Sequence, residues 1–359
     1  MPSPKIWLSR VLERIAESHA FNARWREVNR DLIVGQRNHG SRGLTYAPAP
    51  ARYGCAGSGD AARRGGRAAP LFVSARFRSG STLLWNMFRQ TPGVTAYYEP
   101  LNERRWFLPR GSGEGTDPTH VNVDDYWREY DGMADLDAWF RSDWTVRDLY
   151  MDAHACDRRM SRYLAALIER APGRPVLQCN RLDFRLPWLR RQFPDAGILV
   201  LYRDPREQWL SVLRDPGGHP DDHRVGSARF QDRFYTLTWA RDLCRVFPFL
   251  DPDQHDHLYA VHYLLWRLSH LAACRDADMM IAYEDLFADC DAMMTAVFQQ
   301  FDINGGRIAA GGYRGLLKAS GAERWPAYAS ATWFEAIEND CEDELRRFLG
   351  IDSAHMGAD

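Results

Sequence analysis

The sequence predicts an α/β fold, a three-layer α/β/α arrangement with a mostly parallel central sheet. Three observations predict it. Apolar runs of strand length recur between residues 71 and 283. They alternate with helix-like sequence, and strands joined through helical crossovers pair in parallel. The chain has 359 residues, 45% hydrophobic and 26% charged, which is enough apolar side chain to cover a sheet on both faces.

Taken in order, residues 4–35 read as one helix, with Leu8, Val11, Leu12, Ile15, Val28 and Leu32 at roughly helical spacing among charges. This helix, within residues 1–36, is expected to pack its stripe on the main domain; peripheral membrane or partner contact is the alternative. Residues 37–69, rich in Gly, Ala, Arg and Pro, read as a linker. The main domain is expected over 70–359. Its strands are Leu71–Ala75, Val94–Tyr98, Val176–Cys179, Ile198–Tyr202 and Met279–Tyr283, with a helix over Ser81–Gln90 and long helices over 226–247 and 255–276.

Bulk properties narrow the function. Net charge is −2, so no global basic field draws the chain to nucleic acid. Of 46 basic residues only Lys5 and Lys318 are lysine, so an anion site here is built from arginine forks, backbone N–H groups and hydroxyls. Seven cysteines without framework spacing or a C-x-x-C pair argue against a disulfide scaffold and a structural zinc, and for a reducing compartment. No apolar run approaches the roughly 20 residues of a membrane span, and no signal-peptide layout is present. The expected location is the cytoplasm.

Residues 75–84 lie between a buried strand and a helix and contain Arg78, Ser79, Gly80, Ser81 and Thr82 in succession. Glycine lets backbone approach an anion, a helix N-terminus offers unpaired N–H groups, and the hydroxyls and Arg78 add donors and charge. No lysine follows Gly80, so this is not a Walker A loop, and a kinase reading lacks its central residue. Further on, a strand ends at Arg203 and the following helix presents Ser211 two turns later, so both can converge on one anion while Asp204 caps the helix.

Together these segments resemble the sulfotransferases that use 3′-phosphoadenosine 5′-phosphosulfate (PAPS). Arg78 to Thr82 is similar to the family's 5′-phosphosulfate loop, and Arg203 with Ser211 to its 3′-phosphate site. The segment Tyr98-Glu99-Pro100-Leu101 resembles one in carbohydrate sulfotransferases; tyrosylprotein sulfotransferases place a catalytic glutamate at about this distance from the loop. The resemblance implies Glu99 as general base, with Glu103 the second candidate and pairing with Arg104 or Arg105 the structural alternative. Asn180-Arg181-Leu182-Asp183 is similar to an Asn-Lys-Asp segment whose lysine steadies the departing phosphate. Arg181 replaces that lysine, so it can clamp charge but not act as an acid, and an ion pair with Asp183 is its structural alternative.

Tyr283, in the late strand-to-helix segment, is implied near the nucleotide, with core packing as the alternative. Lys318 and Ser320 are implied in a loop over the adenine and 3′-phosphate. The resemblance covers about residues 70–350 and implies a P-loop nucleotide-kinase-like fold, with PAPS as donor, 3′-phosphoadenosine 5′-phosphate (PAP) as product and no metal. It also implies a small-molecule or glycan acceptor, carbohydrate favoured. A small-molecule kinase and a non-catalytic nucleotide binder are the alternatives. His255, His257 and His262 lack metal-ligand spacing. The loop 215–223 is expected at the acceptor cleft, with Trp85, Trp106, Trp127 or Trp209 as candidate sugar-stacking residues.

Overall fold

The computed structural model describes residues 69–108, 120, 123–213, 218–304, 313–317 and 323–349. The N-terminal helix and linker expected over 1–36 and 37–69 (Ala69 apart) and the expected site residues Lys318 and Ser320 lie outside them.

Five strands form one parallel sheet: β1 (Leu71–Ala75), β2 (Val94–Tyr98), β3 (Arg174–Cys179), β4 (Gly197–Tyr202) and β5 (Met279–Ala282), in the order β2-β3-β1-β4-β5. All five residues of β1 are buried, so its continuous apolar run Leu71-Phe72-Val73 meets side chains on both faces, as the three-layer expectation required. The helices are α1 (Ser81–Arg89), α2 (Arg158–Arg170), α3 (Leu186–Gln192), α4 (Pro205–Val212), α5 (Thr236–Leu243), α6 (Leu258–Asp276), α7 (Tyr283–Ala288), α8 (Cys290–Gln300), α9 (Trp325–Tyr328) and α10 (Ala331–Leu349).

Sheet order fixes where a ligand fits. From β1 the chain crosses to β2 on one side, and from β3 it crosses back over β1 to β4 and β5 on the other. The connections leaving β1 and β4 therefore diverge, opening a crevice at their carboxyl ends. The loop from β1 into α1 and the turn from β4 into α4 flank it.

Two cores meet along α6. One wraps the sheet through Leu84, Phe88, Tyr163 and Leu189. The other joins α4, α5, α6 and α10 through Trp209, Trp239, Tyr259 and Phe334. The helix α10 is fastened by two carboxylates one turn apart: Glu338 receives Arg206 in a two-pronged contact (2.8 and 2.7 Å) and the Tyr259 hydroxyl (2.6 Å), and Glu342 receives Tyr263 (2.9 Å) and Arg267 (2.7 Å).

Several expectations are corrected. The helix expected over 226–247 is only Thr236–Leu243: Gly226 (φ 82°) and Tyr235 (φ 61°) are left-handed, and the Asp232 carboxylate receives the amides of Leu237 and Thr238 and so starts the helix late. The one expected over 255–276 begins at Leu258, where the His257 ring accepts the Tyr259 amide. Tyr283 opens α7 rather than closing β5. In the 215–223 segment, Pro220 and Asp221 line a second cleft with Trp333 and Glu344, which shares no lining residue with the cleft that holds Arg78 and Glu99. Five described cysteines are free thiols, but Cys156 is disulfide-bonded. One bridge is no framework. Among the described residues, no helix is long and apolar enough to cross a membrane.

One anchor outside the crevice tests the packing. Asp157 caps α2 through the amides of Arg159 and Met160 and also accepts the Trp144 indole N–H at 2.7 Å. Asp157→Ala is expected to lower unfolding free energy by about 1–3 kcal/mol in urea titration, from the lost cap and the orphaned indole.

Candidate active site

Where β1 ends, the chain turns sharply. Arg78 (φ 67°) and Gly80 (φ 94°) are both left-handed, while Ser79 folds back on the Arg76 carbonyl through its amide (3.3 Å) and its hydroxyl (2.7 Å). Behind the turn is a buried polar knot. Asp183 accepts Ser74 (2.9 Å), Ser269 (3.0 Å) and the Arg76 guanidinium (3.4 Å), tying β1, the β3–α3 turn and α6 to the loop. Burial pushes the Asp183 carboxyl up against the pull of Arg76, and burial likewise lowers Arg76 against the pull of Asp183.

The turn delivers Gly80, Ser81 and Thr82 to the start of α1. No side chain caps that end and no acidic residue occupies its first turn, so its amide N–H groups and positive dipole end face the cleft. Gly80 is required there: a Cβ would sit 2.3 Å from the Tyr283 ring.

Across the crevice, Arg203 follows β4 and stacks its guanidinium 4.6 Å over the same Tyr283 ring, while its Nη1 donates to the Arg78 carbonyl at 3.2 Å. Asp204 caps α4 through the amides of Arg206 and Glu207, leaving Arg203 to meet Glu207 at 3.6 Å instead. The Arg78 Nε donates to the Ser211 carbonyl (3.1 Å) and Oγ (3.2 Å), so the loop and the Arg203–Ser211 pair are bound directly to each other.

The third wall follows β2. Glu99, left-handed (φ 41°) and 5% exposed, accepts Asn180 on Oε1 (2.5 Å), and Asn102 (2.6 Å) and Arg181 (2.7 Å) on Oε2. The other Nη of Arg181 donates to Glu103 at 2.6 Å, and Tyr235 donates to the same carboxylate at 2.7 Å. Burial raises the Glu103 carboxyl, but Arg181 and the Tyr235 hydroxyl outweigh it and hold it below its ordinary value. Burial and Glu103 push the Tyr235 phenol up to about 12. Beside Glu99, Tyr98 bonds Thr82 at 3.0 Å and stacks on Tyr126 at 4.5 Å.

These groups line one cleft of about 650 Å³: Arg78, Gly80, Ser81, Thr82, Glu99, Glu103, Arg181, Arg203, Ser211 and Tyr283 all face it. Ser79 does not, because its hydroxyl is turned inward and the residue is fully buried. Arg181 pairs with the two glutamates and not with Asp183, whose arginine is Arg76; Arg105 pairs with Asp137. Of the four tryptophans considered, Trp106 lines the cleft, whereas Trp85 and Trp209 are fully buried and Trp127 packs on the sheet core. His255 and His257 bond the carbonyls of Phe249 and Pro220, and burial followed by the Arg76 charge lowers His262 to about 3. Tyr126, Phe234 and Tyr235 also line the cleft and were not singled out from the sequence. For Phe234 and Tyr235 the local signal is Asp232, a helix-start residue just ahead of them; Tyr126 has none.

A model of the sulfotransferase family matches residues 70–304. The chain belongs to the sulfotransferase family. Every cleft residue from Arg78 to Tyr283 falls inside the matched segment of this sulfotransferase, and Lys318 and Ser320 fall beyond it. No curated protein matches the chain. Among solved structures it is similar to a sulfotransferase of Mycobacterium avium, at 15% identity over 78% of this chain and 77% of the other, with a TM-score of 0.40. It is also similar to one of Alicyclobacillus acidocaldarius, at 14% identity over 80% and 98%, with a TM-score of 0.38.

Gly80→Ala in this sulfotransferase is expected to cost about 1–3 kcal/mol of stability, from a left-handed φ combined with the Tyr283 collision. Adding Tyr283→Ala should recover the collision part alone, measured by urea unfolding of the single and double variants.

Proposed function

We propose that this sulfotransferase moves the sulfuryl group of PAPS to an acceptor hydroxyl, a carbohydrate being the favoured acceptor. One observation carries the reading: the β1–α1 loop and the Arg203–Ser211 segment, the two expected anion sites, meet in one cleft at the sheet's switch point. The residues present fit such a donor. The start of α1 with Arg78 suits the 5′-phosphosulfate, and Arg203, stacked on Tyr283, suits the 3′-phosphate with Ser211. PAPS, when bound, supplies a sulfuryl group on a phosphate leaving group. Arg78 and the amide groups of Gly80 to Thr82 are placed to hold the charge that grows on that phosphate, without reorganising.

Glu99 is the general base in this reading. A carboxylate offers about four acceptor positions, and three are filled by Asn180, Asn102 and Arg181. The position left on Oε1 can take the proton of an acceptor hydroxyl. A non-catalytic member would have no need to aim this carboxylate into the cleft, and Glu99 lines it. Tyr98, Trp106 and Tyr126 line the cleft but are buried and packed on one another, so the carbohydrate rests on the resemblance of the Tyr98-Glu99-Pro100-Leu101 segment.

Two variants separate the halves of the site. Glu99→Gln should bind PAP within about twofold of wild type in calorimetry while transfer of labelled sulfate from PAPS into an extract of the source organism falls about 10²- to 10⁴-fold. Wild-type turnover in that variant would remove Glu99 from the chemistry. Arg203→Ala should weaken PAP by about tenfold or more and leave AMP nearly unchanged, because AMP lacks the 3′-phosphate. Equal losses for PAP and AMP would contradict the 3′ assignment.

A further inference from the structure

We propose that Glu103 and Tyr235 position the Glu99 base through Arg181, and that Arg181 therefore serves the acceptor side of the cleft and does not clamp the donor phosphate. The inference rests on the reading of Glu99 as base.

Arg181 is 3% exposed, with both Nη groups engaged and its Nε without a hydrogen-bond partner among the described residues. One Nη is committed to Glu99 and the other to Glu103, at 2.7 and 2.6 Å. Its Cζ lies 5.1 Å from the Phe77 ring and 5.8 Å from the Tyr235 ring, and the two rings pack on each other at 5.8 Å. To turn the Nη on Glu99 toward a phosphate, Arg181 would have to surrender a short charge-assisted bond and leave the buried Glu99 carboxylate without its cation; Glu103 is the exposed end of the pair. A fork spanning two carboxylates also fixes the direction of each, so Glu99 is aimed by a group whose own orientation depends on Glu103.

Glu103 is fixed in turn. Its second oxygen accepts the Tyr235 hydroxyl, and Tyr235 is held left-handed at the start of α5, packed on Phe77 at 5.8 Å. A non-glycine residue in that conformation is sustained by its surroundings, here the Asp232 carboxylate on Leu237 and Thr238. The arm thus runs from an irregular segment before α5, through Glu103, to a residue that touches the acceptor.

The test uses the full chain and two readouts. Calorimetry with PAP compares wild type, Arg181→Met, Glu103→Gln and Tyr235→Phe. Kinetics with sulfur-labelled PAPS, varied against a fixed amount of extract, give kcat and donor KM separately. The expected result is PAP affinity within about twofold for all three variants. With donor KM unchanged, kcat should fall about tenfold in Glu103→Gln, about threefold in Tyr235→Phe and most in Arg181→Met. A loss of PAP affinity of about tenfold or more in Arg181→Met would make Arg181 a donor clamp and overturn the inference. So would wild-type kcat in both Glu103→Gln and Tyr235→Phe, the variants at more exposed positions that decide the matter if Arg181→Met does not fold. Failure of the underlying reading looks different. A wild-type chain that ignores PAP removes the donor assignment and the inference with it. One that binds PAP but labels nothing removes the activity, while the PAP series still decides where Arg181 acts.

Discussion

The turn that carries the chain from β1 into α1 is the constraint on which the site depends. Two left-handed residues, Arg78 and Gly80, reverse the chain within a few positions, and the strain at Arg78 persists only because its surroundings fix it. Ser79 spends its hydroxyl inward on the Arg76 carbonyl, and the Arg76 guanidinium is gripped by Asp183. The same turn exposes the start of α1, seats Gly80 under Tyr283, and lets Arg78 reach Ser211. Two further strained residues, Glu99 and Tyr235, face the same cleft. Three of the six left-handed non-glycine residues among the described residues thus line the cleft, while Arg105, Asp148 and Asp302 lie outside it.

A chain almost without lysine solves its electrostatics with planar cations. Arginines around the cleft lie on aromatic faces: Arg78 on Phe234, Arg181 on Phe77, Arg203 on Tyr283. Such stacking restrains the fork while leaving its edge to bond, which an ammonium cannot do. Arg185 is the extreme case. Fully buried, it donates to the carbonyls of Trp144, Arg147, Asp148 and Arg181, and burial lowers it to about 10. It thereby organises the irregular segment before α2 from inside the protein.

The strands were legible because a sheet buried on both faces needs continuous apolar runs, and Leu71–Ala75 and Ile198–Leu201 are apolar runs of strand length. The donor loop was legible because its chemistry is local: glycine, hydroxyls and arginine within a few residues. Legibility ended where partners are distant. Nothing near Arg181 in sequence announces that Glu103 and not Asp183 is its second partner, nor that Tyr235 closes the set. The helix expected over 226–247 is shorter for a different reason. Its aromatic content looks helical, while Gly226 and the capping carboxylate of Asp232 break it into an irregular segment and a short helix. Ser79 has the hydroxyl of a ligand group, yet that hydroxyl finds a nearer acceptor in its own turn.

The position of β1 has a consequence for how the protein is made. Its two neighbours, β3 and β4, lie far downstream, Leu71 pairing with Val176 on one side and Gly197 on the other. The central strand cannot be flanked until the chain has been synthesised past Gly197, and an apolar run left unpaired that long is a target for chaperones and for aggregation. The anion loop that follows β1 inherits this delay. Asp183 and Ser269, which brace it, lie more than 100 residues downstream of Ser74, so a segment near the beginning of the sheet acquires its final shape among the last.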